Sequence, residues 1–349
     1  MPPPPTQAGT LSTRFTTRFG VPHPILLAPM GTVAGGALAS AVTAGGGLGQ
    51  IGVGYGDRAW LEREFARAGH ARVGCGFITW KLAAEPGLLD AALEHRPAAV
   101  TLSFGKPSEF APRVHDAGIP LICQVGTAEE ARQALDVGAD VVVAQGGEGG
   151  GHGVRRRSTL TLLPEVVDLV AASGRDVPVL AAGGISDGRG LAAALVLGAD
   201  GVMVGTRFWA CREALIAGEA QARAVGASGD DTLPTTVYDR VRGYTWPPGY
   251  TSRVLATPFV RRWHGRDGEL AAALPELREQ YRRAAAANDY DVAQILVGEG
   301  IGVVDAVRPA AEVVEGLVRD AVAALHAAAP QGPTGSRCRG AVSASEVVP

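Results

Sequence analysis

Gly138-Ala139-Asp140-Val141-Val142-Val143-Ala144-Gln145 returns later in the chain as Gly198-Ala199-Asp200-Gly201-Val202-Met203-Val204-Gly205-Thr206. In each copy a glycine suited to a helix C-terminus leads through Ala-Asp into a short β-branched run that ends on small or amide residues. A helix-to-strand turn used twice is what repeated βα units produce. Outward from these two, similar runs fall at 25–28, 48–53, 73–78, 99–103, 121–125, 141–144, 179–182 and 201–204, eight in all. Helically patterned stretches separate them at 57–69, 87–96, 108–117, 128–137, 163–172 and 190–197, several closed by glycine. Strand and helix alternate without hairpin turns, so the sheet is expected to be parallel. An open doubly wound sheet would alternate in the same way, but eight units favour closure. The predicted fold is therefore α/β, a (β/α)8 TIM barrel with a helical insertion after the eighth strand.

The barrel is expected to occupy residues 21–328, with the insertion at 212–300 able to lid its mouth and a closing helix at about 311–328. Residues 1–20 and 329–349 read as disordered, for want of apolar periodicity. Tyr238, Tyr244, Trp246 and Tyr250 in the insertion are wall or packing aromatics, with packing favoured for most.

With 349 residues and a net charge of -3, the chain offers no broad basic surface for nucleic acid or an anionic membrane. The four cysteines (Cys75, Cys123, Cys211, Cys338) lack metal-ligand spacing and read as reduced cytosolic thiols, so no metal is expected. The N-terminus has no charged start followed by an apolar segment, and no run approaches the roughly 20 apolar residues that span a bilayer. A cytoplasmic protein is expected; association into a homo-oligomer is left open.

Barrels of this kind carry their chemistry where strands end. Those ends read Ala28-Pro29-Met30-Gly31, Gly52-Val53-Gly54, Phe77-Ile78-Thr79-Trp80, Ser103-Phe104-Gly105, Gln124-Val125-Gly126, Gln145-Gly146-Gly147-Glu148, Ala182-Gly183-Gly184 and Gly205-Thr206. Small residues let a flat ligand approach the backbone, and glutamine amides can bond a heteroaromatic edge. A flavin fits; tight βα turns would account for any single glycine. After the seventh and eighth strands, Gly183-Gly184-Ile185 and Gly205-Thr206-Arg207 stand where barrels commonly bind phosphate, although phosphorylated substrates of non-flavin barrels use the same device. Arg189 and Arg207 nearby read as solvated or structural.

The sharpest motif is Gln145-Gly146-Gly147-Glu148-Gly149-Gly150-Gly151-His152-Gly153, a glycine loop that presents one imidazole at the expected mouth. Histidine can take or hold a proton near neutral pH. Glu148 could orient the ring or anchor the loop, and anchoring is favoured. Arg155-Arg156-Arg157 reads as a solvated face more than as an attractor of anions.

This loop, the segment Val179-Leu180-Ala181-Ala182-Gly183-Gly184-Ile185-Ser186-Asp187-Gly188 and the run Leu197-Gly198-Ala199-Asp200 through Gly205-Thr206-Arg207-Phe208 resemble the nitronate monooxygenases, once called 2-nitropropane dioxygenases. The likeness spans roughly residues 25 to 211. It implies a non-covalently bound FMN in a TIM barrel, a small-molecule substrate, and oxygen as co-substrate. By position, Met30 and Gly31 would pass near the isoalloxazine, Gln124 and Gln145 would line its edge, and Gly150 would touch the cofactor. Gly183, Gly184, Gly205 and Thr206 would hold its phosphate. The implied reaction is oxidation of alkyl nitronates or nitroalkanes to carbonyl compounds and nitrite, with His152 as catalytic base. Two positions depart from the pattern: many members carry an asparagine where this chain has Gly76-Phe77, a contact Thr79 could replace, and Gly149 stands where alanine is common. The resemblance extends to enoyl-acyl-carrier-protein reductase II and NADH:quinone reductases, so the alternative is an NAD(P)H-dependent FMN reductase of enoyl thioesters or quinones. A third reading is a flavin- or phosphate-binding barrel without redox turnover.

Overall fold

The computed structural model describes residues 11–329. Eight parallel strands form the barrel: β1 (Ile25–Leu27), β2 (Gln50–Gly54), β3 (Gly74–Ile78), β4 (Val100–Ser103), β5 (Leu121–Val125), β6 (Val141–Gln145), β8 (Val179–Ala182) and β9 (Gly201–Val204). Between β6 and β8 lies β7 (Gly151–Val154), which belongs to another sheet. The eight expected runs are the eight barrel strands. Neighbours follow the order β1-β9-β8-β6-β5-β4-β3-β2, and a parallel bridge between Leu26 and Leu48 brings the two ends together. Leu27 N donates to the Leu48 carbonyl (2.9 Å), and Leu48 N to the Ile25 carbonyl (2.8 Å). The last helix, Ala310–Ala328, packs between Gly188–Val196 and Gly36–Ala44, joining the end of the helical ring to its start.

The expected disorder over residues 1–20 is corrected for the described part of that segment. Arg14–Phe19 is a helix capped by Thr13, and Phe15 and Phe19 are fully buried in the apolar cluster inside the barrel with Leu26, Ile122, Val143 and Leu180. The sequence signal was present but short: Phe15 and Phe19 share one face, as do Arg14 and Arg18. Those arginines meet the two repeated turns. Arg14 grips Asp200 with two bonds (2.9 and 2.7 Å), and Arg18 pairs with Asp140 at 2.6 Å. Each aspartate also accepts from the strand before its own, Asp140 from Leu121 N (2.8 Å) and Asp200 from Val179 N (2.9 Å). The helix thus plugs the end of the barrel where strands begin. Residues 1–10 and 330–349, with most of the expected tails, lie outside the described residues.

The insertion also needs correcting: it is not purely helical. It contains β10 (Thr232–Thr235) and β11 (Tyr250–Leu255), which join β7 in an antiparallel sheet ordered β10-β11-β7. Gly-His-Gly-Val has no strand propensity of its own; β11 supplies the partner, setting Ser252 opposite His152. Pro234 is tolerated because β10 is an edge strand. Val237, Tyr238, Val254, Phe259 and Leu270 give the insertion its own small core. No helix among the described residues is long and apolar enough to cross a membrane.

Candidate active site

One cavity opens at the strand C-termini beneath the insertion, with about 1350 Å³ of empty space including its mouth. His152, Met30, Gly31, Gln124, Gln145, Gly150, Gly183, Gly184, Gly205 and Thr206 all line it. Parallel strands bring these distant positions to one rim. Across the rim runs a chain of polar side chains. Ser103 Oγ donates to Gln124 Oε1 (3.1 Å), Gln124 Nε2 to Gln145 Oε1 (2.7 Å), and Gln145 Nε2 to the His152 carbonyl (3.2 Å). Both amides are thereby oriented, and each keeps a second N–H for a ligand.

The glycine loop is pinned from two sides. Glu148 accepts from Thr159 N (2.9 Å) and Thr159 Oγ1 (3.0 Å), the anchoring role. Arg155 turns inward and donates to the carbonyls of Gly147 (2.7 Å), Gly149 (2.6 Å) and Gly151. The solvated face expected for Arg155 is therefore wrong: its guanidinium is the staple of the loop. Burial first, and Arg253 second, pull its pKa down to about 10. Gly150 leaves no room for a side chain, since a Cβ would stand 2.5 Å from Gly298 N.

His152 is held by a residue that the sequence did not single out. Its Nε2 lies 3.0 and 3.1 Å from the two carboxylate oxygens of Asp239, which comes from the insertion helix Val237–Arg242. Both side chains are largely buried, 11% and 7% exposed. Trp246 stacks on the imidazole with ring centres 3.5 Å apart and planes 9° from parallel. Trp80, Phe104 and Tyr55 meet Trp246 edge-on, and Trp246 Nε1 donates to the Tyr55 hydroxyl (3.1 Å). Tyr238, by contrast, is a packing residue, with its hydroxyl on Thr257 (2.9 Å). Nothing near His152 in sequence marks Asp239, which stands in a polar stretch of the insertion.

At the far end of the cavity, Gly183 and Gly184 adopt left-handed φ of 104° and 70°, and Thr206 Oγ1 accepts from Gly298 N (2.9 Å). Ser186 lines the same end with a buried hydroxyl that has no partner among the described residues. Burial raises the thiol pKa values of Cys75, Cys123 and Cys211, the latter two to about 12, so these are packing groups and not nucleophiles. No cluster of three metal-binding side chains occurs among the described residues.

The family model described as nitronate monooxygenase matches residues 81–320, which include the glycine loop, the loops after β8 and β9, and the insertion. The chain belongs to the nitronate monooxygenase family. It is 36% identical over 300 residues to the nitronate monooxygenase npaC of Metarhizium robertsii, covering 76% of this chain and 80% of that one. The structure of FabK from Thermotoga maritima superposes with a TM-score of 0.80 at 30% identity, over 91% of this chain and 98% of that one. A nitroalkane oxidase from Streptomyces ansochromogenes matches at 0.73 and 28% identity, over 89% of this chain and 99% of that one. The protein is accordingly an enzyme, an oxidoreductase of the nitronate monooxygenase family. Its departure at Gly76 has a steric cause: a Cβ there would fall 2.4 Å from the Pro29 ring, so no asparagine fits against this β1 loop. Thr79 does not line the cavity.

Proposed function

We propose that the protein oxidises alkyl nitronates, and the nitroalkanes from which they derive, with molecular oxygen, using FMN held at the barrel mouth. Two nitronates and one molecule of oxygen balance as two carbonyl compounds and two nitrites. The observation that carries the reading is the His152–Asp239 pair on a cavity with flavin-like complementarity. The unpartnered Ser186 hydroxyl and the glycine-built far end suit a phosphate, and the spare N–H groups of Gln124 and Gln145 suit a heteroaromatic edge. Met30, Gly31 and Gly150 would border the ring, and Gly183, Gly184, Gly205 and Thr206 would hold the phosphate. Members of the family are in general flavin-dependent, and bound FMN supplies the electron acceptor.

The rest falls to the chain itself. With Nε2–H donated to Asp239, Nδ1 of His152 is the basic atom. It takes the α-proton of a nitroalkane and holds it, while Asp239 keeps the ring in one tautomer and stabilises the imidazolium. Trp246 covers one ring face, and the aromatic wall behind it excludes water.

The test is anaerobic stopped-flow absorbance of the FMN-loaded protein mixed with a propyl nitronate, with nitropropane, or with NADH and NADPH. Bleaching by the nitronate is expected. His152→Ala should slow bleaching by nitropropane about 10²- to 10⁴-fold and affect the nitronate far less, because the proton is already gone. Bleaching by nicotinamide with none by nitronate would replace the proposal by the second reading, reduction of enoyl thioesters or quinones. The superposition on FabK is compatible with that reading.

A further inference from the structure

Two functional side chains leave the insertion helix Val237–Arg242 on one face: Asp239, which holds His152, and Arg242, three residues on, which lines the cavity. Arg242 is the only lysine or arginine lining the cavity, and no aspartate or glutamate lines it among the described residues. Its neighbour Arg240 is engaged by Asp267 at 2.6 Å, whereas Arg242 makes no ion pair with a described residue. It lies instead beside a pair of stacked tyrosines. The guanidinium lies 4.8 Å from the ring centre of Tyr244 and 5.7 Å from that of Tyr55, two rings stacked 3.7 Å apart. Tyr55 in turn holds Trp246, which covers His152.

The guanidinium makes no hydrogen bond to a described residue, so its N–H groups remain for a ligand, and their planar fork matches a planar two-oxygen anion. The nearby carboxylate of Asp239 is taken up by His152, so Arg242 is the charged side chain that the described cavity wall offers to an anion.

We propose that Arg242 is a specificity-determining residue that binds a planar two-oxygen anion of the substrate, and so sets the substrate's reacting carbon against His152. The nitronate group and a carboxylate on the substrate's tail share this chemistry. The inference rests on the nitronate reading for the reaction, but anion binding can be measured without turnover.

The FMN-loaded enzyme is titrated calorimetrically with propionate, an unreactive two-oxygen anion, and with neutral propionamide. Propionate should bind in preference to propionamide. Arg242→Gln, which keeps a polar side chain of similar reach without the charge, should weaken propionate about tenfold to a hundredfold, with Arg242→Lys intermediate. In steady state, KM for propyl-2-nitronate rising with kcat held would place the nitronate group on Arg242; a rise confined to a carboxylate-bearing nitronate would place the tail there. Circular dichroism and thermal melting confirm that each variant is folded. Equal propionate affinity in wild type and Arg242→Gln, or no propionate binding to the wild type, overturns the proposal. If the wild type oxidises no nitronate yet binds propionate through Arg242, the nitronate reading fails and the anion site stands.

Discussion

At the scale of the residue, the site is governed by which atoms His152 has left after the fold has used the others. Asp239 occupies Nε2 from both carboxylate oxygens, so under the proposed reaction its role is to position the base. Asp239→Asn keeps the volume but lets an amide N–H face the ring, which favours the opposite tautomer. Turnover of a neutral nitroalkane should fall about a hundredfold or more, turnover of the nitronate should change little, and Asp239→Glu should recover part of the loss. Oxygen uptake with the two substrates checks this; equal losses on both would reduce Asp239 to a packing residue. His152 and the nine positions taken from the family resemblance line one cavity because a parallel barrel gathers its strand ends at one rim. Asp239 and Arg242 could not be read from sequence, since a helix of the insertion delivers them and nothing in their neighbourhood signals that they descend over the mouth.

At the scale of the element, the glycine loop is a strand only because other groups hold it. Its backbone pairs with β11 on one side, and Arg155 collects three of its carbonyls on the other. An arginine run looks solvent-facing in sequence, because charge is visible there and a cluster of inward carbonyls is not. The eight barrel strands were legible from their apolar runs, whereas β7, β10 and β11 carry glycine, proline and polar residues and become strands through pairing. Arg155→Gln should therefore loosen the loop without opening the barrel. Hydrogen exchange should quicken over residues 146–153, and the proposed FMN should be retained less well on gel filtration, at a stability loss of about 1–3 kcal/mol. Gly150→Ala should reach a similar state by another route, since its Cβ would press on Gly298 N at 2.5 Å and Val297 C at 2.6 Å, both backbone atoms that cannot swing aside. Unchanged exchange in both variants would mean that the loop holds itself.

At the scale of the whole molecule, the barrel has two ends with separate duties. The strand C-termini and the insertion build the cavity, while the helix Arg14–Phe19 closes the opposite end by setting Phe15 and Phe19 among the inward-facing barrel residues. The repeated Gly-Ala-Asp turns matter here in a way their sequence alone does not reveal: Asp140 and Asp200 each tie two strands together and receive one arginine of the plug. The ion pairs are partly exposed and contribute modestly, so most of the stabilisation comes from the phenylalanines. Phe15→Ala should cost about 3–5 kcal/mol and lower the melting temperature by on the order of 10 °C. Because the plug lies at the strand starts and His152 at their ends, kcat at 25 °C should stay within about twofold of the wild type, while inactivation on heating begins earlier. Thermal melts paired with initial rates separate the two ends: a fall in kcat below the melting transition would show that the floor is coupled to the mouth through the strands, and an unchanged melting temperature would show that the barrel closes without its plug.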